Sequence, residues 1–540
     1  MPFLKKNADQ VESTAPPNGE SSASGAAKEQ SSAASAAKGQ KITFLACFLG
    51  LVASIGGFMF GYVSGQISGY FQMDDFARRF GQADGNGGYS FDAARQGTIT
   101  GLLPVGCLFG ALIAGKLADS IGRRLAISAS ALWACVGTII EISSDQAWYQ
   151  FAIGRLVTGI SIGALSVVVP MYQSESSPAI IRGILVSTYQ LFITFGIWTS
   201  YMVDWGTHKS YTDDAAWRIP NGLGFLWSLI LGAGILLLPE SPRYAFYKGR
   251  EEEARNTIAK LAGVDPHDRI VNDQITQIRV KVDEEKHMAK AKIWEIFTGP
   301  KMMQRTMLGI LLQAGQQLTG ANFFFYYGTT VFAATGLSDS YVTQIILGTV
   351  NVVCTFGGLV VVQKVGRRKA LMAGAAWIFM CFMVYAFVGE YVLDPVDPSR
   401  TPAAGSVLIV FSCLAIAAFA TTWGPLVWAV VAELYPARYR GPCMALATAT
   451  NWFWNFLISF FTRFITDSIH YWYGLVFAGC CLCLIFIVYF GMMETKDRSL
   501  EEIDTMYMLG VNPIHSSKWD GSKAPEGVAN GSLTEDHSEA

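Results

Sequence analysis

The chain has 540 residues, of which 51% are hydrophobic and 15% charged, and its formal net charge is −2. Its mean hydropathy of +0.32 and sparse charge exclude an ordinary soluble domain, where about a quarter of residues are charged, and leave no strongly basic face for nucleic-acid phosphates. Of the ten cysteines, Cys480, Cys481 and Cys483 place one C-x-x-C spacing in an apolar stretch with no His or acid beside it, and with no His-containing zinc spacing anywhere this predicts no metal centre.

Residues 1–41 are rich in Ser, Ala, Gly and Lys and read as a disordered N-terminal tail. Crossing the hydrocarbon core takes roughly 20 apolar residues. Segments of that kind lie near 42–69, 96–116, 125–143, 147–172, 184–204 and 218–238, and again near 306–333, 341–364, 369–393, 404–432, 443–467 and 471–493. The expected fold is an all-α membrane protein of twelve transmembrane helices in two pseudo-symmetric six-helix bundles, 42–239 and 306–494. Between them, 240–305 carries Glu251, Glu252 and Glu253, apolar Ile258, Leu261, Ile270, Ile275 and Ile278, and a break at Pro266 with Asp265 as a cap. Short cytoplasmic helices are predicted there. Residues 495–540 form a C-terminal tail, polar and disordered from about Asn512 onward.

Loop charge sets the orientation. Arg123, Arg124, Arg182, Arg367, Arg368, Arg438 and Arg440 fall on one side with the basic central stretch, against Arg78, Arg79, Lys209 and Arg400 on the other. Both termini are therefore predicted to be cytoplasmic.

The two sets of spans repeat each other. Gly115 to Arg124 after the second span is echoed by Gln363 to Arg368 after the eighth. Glu175 precedes Arg182 as Glu433 precedes Arg440, and Pro239 to Arg243 after the sixth is echoed by Met493 to Asp497 after the twelfth. A duplicated membrane protein places its substrate between the halves. With Gly57 to Tyr62, Gly154-Arg155, Gln316 to Asn322, Gly424-Pro425 and Asn451-Trp452, the chain from about 42 to 505 resembles the sugar porters of the major facilitator superfamily, and among them the fungal hexose transporters. The resemblance implies a multi-pass protein of the plasma membrane that moves a monosaccharide, glucose or a related hexose, with no cofactor.

A sugar offers hydroxyls, and neutral amides both donate to and accept from them. Amides within the spans are Gln190, Gln316, Gln317, Asn322, Asn351, Asn451 and Asn455. Each contacts substrate or ties helix to helix. Gln317 and Asn322 diverge by about 140° on a straight helix, so they converge only if it unwinds at Thr319-Gly320. The resemblance assigns these amides to the sugar, with Trp428 as an apolar platform. The aromatic run Phe323 to Tyr327 after the break is either ordinary packing or an external gate over the bound sugar, with Tyr326 and Tyr327 as the gate residues. The resemblance also implies an Asp after Gly61-Tyr62 in proton-coupled members. Here that residue is Val63, while its usual partner, Arg155, is present. Downhill uniport is expected, with proton symport as the alternative. A charge cluster of Asp119, Arg123, Arg124, Glu175, Arg182, Glu240, Arg367, Arg368, Glu433 and Arg440 is expected to join the cytoplasmic ends of the two halves when the protein faces outward. A non-transporting sugar receptor on the same scaffold is a third reading. An enzyme is not expected, since no nucleophile–base pair sits in the spans.

Overall fold

A backbone surrounded by hydrocarbon must satisfy its own N–H and C=O groups, which favours long helices. The computed structural model describes residues 43–83, 88–178, 181–287, 294–333, 339–394, 400–496, 498 and 500–519, so the N-terminal tail and the chain beyond 519 lie outside the described residues. Among the described residues, one small hairpin (β1 Gln82–Ala83, β2 Tyr89–Ser90) accompanies an otherwise helical architecture. The first part holds α1 Phe44–Tyr70, α2 Asp74–Phe80, α3 Ala93–Ile121, α4 Arg123–Ile142, α5 Trp148–Ser176, α6 Arg182–Ser210 and α7 Ala215–Leu236. The connector holds α8 Pro242–Tyr247, α9 Glu251–Ala262, α10 Arg269–His287 and α11 Glu295–Thr298. The last part holds α12 Met302–Leu318, α13 Ala321–Ala333, α14 Ser340–Lys364, α15 Arg367–Tyr391, α16 Pro402–Thr421, α17 Trp423–Leu434, α18 Ala437–Ile469, α19 Tyr473–Gly491 and α20 Leu500–Met508.

Among the described residues, nine helical stretches are long and apolar enough to cross a membrane. Glycine lets them touch through backbone. A Cβ on Gly61 of α1 would lie 1.9 Å from the Ile193 carbonyl of α6, and one on Gly106 of α3 would lie 2.1 Å from that of Leu156 on α5. Helices that close need small residues in lipid.

Two local departures from the sequence reading have simple causes. The stretch 404–432 is broken between α16 and α17, where Thr422 sits at φ −127°, ψ −79°. Pro425 has no N–H to give the carbonyl four residues earlier. In the connector the helix cap is Asp268, which accepts from the Ile270 N–H at 2.9 Å, while Asp265 instead closes a turn onto His267 N–H at 2.9 Å. Ala254, Ile258, Val271 and Ile275 there bury one small core with Phe246 and Ile278.

The region after Asn512 is packed as far as Trp519. Arg368 donates to the Ile514 carbonyl at 3.3 Å, Arg498 to the carbonyls of Ser516 and Trp519 at 2.9 Å, and the Glu494 N–H to Ser516 Oγ at 3.0 Å. Val511 and Trp519 pack on the core at the two ends of this segment, and between them arginines binding backbone carbonyls hold it, which is why hydropathy does not reveal it.

The two parts of the chain meet at the end that holds Tyr70, Thr329 and Tyr341, hereafter the closed end. Ser68 Oγ and Thr329 Oγ1 lie 3.1 Å apart, Tyr341 Oη donates to the Gly69 carbonyl at 2.7 Å, and Trp205 Nε1 donates to Asp339 Oδ2 at 3.2 Å. A Cβ on Gly97 of α3 would lie 2.4 Å from the Phe460 carbonyl of α18. Beside this end Asp75 of α2 accepts from Arg79 Nε at 2.7 Å, from Trp217 Nε1 at 3.2 Å and from Arg78. Burial pushes its carboxyl up, but the bonds from Arg79, Arg78 and Trp217 outweigh that and hold it below its ordinary value. A carboxyl lowered by folding contributes stability above its unfolded pKa of about 3.9 and loses it as pH falls through the folded value. Asp75→Asn is therefore expected to destabilise the protein at pH 7 by about 1–3 kcal/mol. Thermal unfolding of purified protein checks this, and the gap to wild type should narrow below about pH 4.

Candidate functional site

The polar heart of the molecule is built where the helix after the connector breaks, between α12 and α13. Thr319 Oγ1 donates to the Gln316 carbonyl at 2.6 Å, and Gly320 takes φ +81°, a conformation that costs other residues about 1–2 kcal/mol. The chain resumes as α13 one residue later. The break expected at Thr319-Gly320 is thus present, and it brings together the two amides a straight helix would separate. Asn322 Nδ2 donates to Gln317 Oε1. Asn455 Nδ2 of α18 donates to the same oxygen at 3.3 Å, and Gln317 Nε2 donates to Asn451 Oδ1 at 2.9 Å. Tyr326 Oη of α13 donates to Asn455 Oδ1 at 3.2 Å.

Counting donors divides these amides into two kinds. Gln316 spends Nε2 on the carbonyls of Trp423 and Gly424, both at 3.0 Å, and its Oε1 accepts from Asn451 Nδ2 at 2.8 Å. Asn451 Nδ2 also reaches Gln313 Oε1 at 2.8 Å. Gln316 and Asn451 are therefore saturated within the protein: they tie α12 to α17 and α18 rather than offer groups to a ligand. Gln317, Asn322 and Asn455 each make one amide N–H bond of the two an amide can donate and keep the second. Gln190 is half-buried on α6, its Nε2 3.9 Å from where a Cβ on Gly424 would stand. Trp428 is half-buried on α17. Asn351 is buried in α14, with a backbone carbonyl that accepts from Thr355 at 2.8 Å, and no bond joins its side chain to this cluster among the described residues. Gln313, fully buried, was missed in the sequence because it opens the polar run one turn early, inside an apolar stretch. Tyr327 Oη donates to the Ser459 carbonyl.

At the other end of the helices, two charged corners share one geometry. Arg123 Nε lies 3.0 Å from Glu175 and its Nη1 lies 3.1 Å from Asp119, while Arg367 Nη2 lies 3.3 Å from Glu433. Glu240 Oε1 accepts the N–H groups of Arg123 and Arg124 at 3.0 and 3.2 Å, and Glu494 accepts those of Arg367 and Arg368 at 2.8 and 3.3 Å. Each glutamate thus caps the N-terminus of a helix, α4 or α15, where orphan N–H groups and the helix dipole favour negative charge. Glu494 was not singled out from the sequence, although it stands at the repeat position of Glu240. Arg124 donates to the Leu238 carbonyl at 3.3 Å, Arg368 to that of Tyr489 at 2.6 Å and Arg440 to that of Tyr435 at 3.3 Å. Arg182 begins α6, and its side chain lies outside the described residues. Among the described residues, the ion pairs of Arg123 with Asp119 and Glu175 and of Arg367 with Glu433 stay within their own part of the chain, and the parts meet instead at the opposite end.

Arg155 is fully buried in α5. Its Nη1 donates to the Val63 carbonyl at 3.4 Å, and its Nε and Nη2 are without a hydrogen-bond partner. Glu141, also buried, accepts from Thr158 Oγ1 at 2.7 Å.

A profile of the family described as sugar (and other) transporters matches residues 49–507. The chain belongs to that family. Hexose transporter 2 of Kluyveromyces lactis is 45% identical over 475 residues, covering 87% of this chain and 84% of that protein. A low-affinity glucose transporter of Saccharomyces cerevisiae is 43% identical over 485 residues, covering 89% and 85%. Among solved structures, the major facilitator superfamily proton:xylose symporter of E. coli, bound to 6-bromo-6-deoxy-D-glucose, superposes with a TM-score of 0.72 at 23% identity, covering 86% of this chain and 100% of that one. This sugar-transporter family member is accordingly a multi-pass membrane protein and not an enzyme.

Proposed function

We propose that the protein carries a hexose, glucose or a close relative, down its gradient across the plasma membrane by alternating access. The observation that carries this reading is the trio Gln317, Asn322 and Asn455, gathered by a glycine-broken helix with amide donors to spare. Such groups suit an uncharged polyhydroxyl ligand, since each hydroxyl both donates and accepts. Gln190 and Trp428 lie on helices beside them and complete the substrate site, Gln190 with a further amide and Trp428 with an apolar face.

We further infer twelve spans. To the nine helical stretches are added α6, whose Gln190 and hydroxyl residues lower its apolarity, and the broken pair α12–α13, while residues 438–491 divide at His470 into two. Two six-helix bundles follow, with the connector and both termini on the cytoplasmic side, as the arginine-rich corners favour. The structure then faces inward. Tyr326 and Tyr327 belong to the closed external gate, and the corner residues form the internal one. Arg367→Ala is expected to slow uptake roughly tenfold, equivalent to about 1.4 kcal/mol, with surface delivery unchanged. Uptake and surface labelling in whole cells measure both, and undiminished uptake would exclude the gating role.

Uniport rests on Val63. A side chain that cannot ionise cannot carry a proton, and Arg155 here has only a carbonyl at that position. In proteoliposomes, labelled glucose should equilibrate and stop at equal concentrations, whether or not a pH gradient is imposed. Val63→Asp introduces a titratable group beside the buried guanidinium. It should make uptake respond to the gradient, with up to about tenfold accumulation per pH unit for one proton per sugar. Accumulation by the wild type would identify a symporter, and absence of any uptake would identify a receptor.

A further inference from the structure

We propose a second hexose site, on the outer flank of the gate helix α13 and separate from the central amides. The two flanks of this helix do different things. Asn322, Tyr326 and Thr329, spaced i, i+4 and i+7 and so on one face, bond Gln317, Asn455 and Ser68 respectively. Phe323, Tyr327, Thr330 and Val331 occupy the neighbouring face and line a cavity of about 200 Å³. A single water needs roughly 10–15 Å³ of such space, so the cavity admits a ring-sized molecule.

The opposite wall comes from the end of α18, with Thr462, Arg463, Thr466 and Asp467. Tyr385, His470 and Tyr471 close the remaining side. His470 holds φ +49°, an unusual backbone state for a residue with a side chain, and turns the chain from α18 around the cavity. The chemistry of the lining selects the ligand. Arg463 Nε and Asp467 Oδ1 are 3.1 Å apart, and their side chains are 31% and 46% exposed, so the pair stands at the mouth with its charges balanced. Balanced charge disfavours a free anion or cation. A donor and an acceptor side by side suit vicinal hydroxyls, threonine hydroxyls add further partners, and the aromatic rings of Phe323, Tyr327 and Tyr385 offer flat apolar surfaces for the C–H face of a sugar.

Occupancy has a mechanical consequence. A ligand here fills the space into which α13 must swing when it leaves α1, and Thr330, on the cavity wall, also accepts from Gln72, in the turn just after α1, at 3.4 Å. Sugar on this side therefore holds the closed end shut, and high concentrations there slow transport. The ligand class assumed here rests on the hexose reading above, and the experiment separates the two.

Full-length protein in nanodiscs is titrated with labelled D-glucose, and correct folding of each variant is checked by gel filtration. Wild type should show two classes of site. Gln317→Ala with Asn455→Ala removes one. Thr466→Trp, which fills the cavity, removes the other, and Arg463→Ala at the exposed mouth weakens it by about tenfold. Thr466→Trp should also abolish the slowing of uptake at high glucose. Two classes of site surviving in both cavity variants, or a single wild-type site that only the amide variants remove, overturns the proposal. A single site lost only in the cavity variants would leave it standing and defeat the central-site reading instead. Should Thr466→Trp fail to fold, Arg463→Ala decides alone.

Discussion

Gln317→Ala is expected to lower kcat/KM for glucose uptake about a hundredfold, a loss of about 2.7 kcal/mol in transition-state stabilisation. Two effects combine. The substrate loses the donor that Gln317 keeps free, and Asn322 and Asn455 lose the oxygen to which both donate. Their released N–H groups no longer point to one place. Each unsatisfied buried amide costs about 1–3 kcal/mol, so part of the effect appears as lowered stability. Gln316→Ala separates that part. Gln316 makes as many bonds as Gln317, but to the carbonyls of Trp423 and Gly424 and to Asn451, so its removal should lower Tm while leaving KM within about threefold, roughly 0.7 kcal/mol. Initial rates in proteoliposomes over a range of glucose, with Tm measured on the same preparations, distinguish the two variants. Equal KM changes in both would mean that donor counting does not identify the substrate amides.

The contrast between Gln316 and Gln317 also marks how far the sequence can be read. Membrane spans were legible because each must present some twenty apolar residues to lipid, and helices α1, α3 and α14 fall on their predicted windows within a few residues. The break between α12 and α13 was legible because Thr319-Gly320 lies between amides that a straight helix would hold apart. Partner choice was not. Adjacent glutamines have the same chemistry, and only the positions of the α16–α17 break and of Asn451 decide that one is saturated. Nor could the pairing of the corner arginines and glutamates be read, since charges at repeated positions would fit a partner in either part of the chain.

Gly320→Ala is expected to cost the protein either its fold or its amide cluster. At φ +81° an alanine pays about 1–2 kcal/mol in backbone strain, and its Cβ would stand 2.6 Å from Phe382 Cζ and 2.8 Å from Phe477 Cγ. Those rings cannot retreat freely. Phe382 stacks on Phe324 with centroids 5.5 Å apart, and Phe477 lies 4.6 Å from Tyr473. Overpacking of this kind costs about 1–3 kcal/mol more. The chain can escape by continuing the helix through residue 320, which relieves the dihedral but rotates Asn322 away from Gln317 by about 140°. Both routes end the same way: either the folded protein is lost, or it survives without the amide cluster. Yield and Tm after gel filtration report the first, and glucose binding to the folded fraction reports the second, with affinity reduced at least about a hundredfold, or about 2.7 kcal/mol. An alanine variant that folds with wild-type Tm and binds glucose normally would show that the kink at Gly320 does not assemble the site, because a left-handed residue at that position would then be dispensable to both.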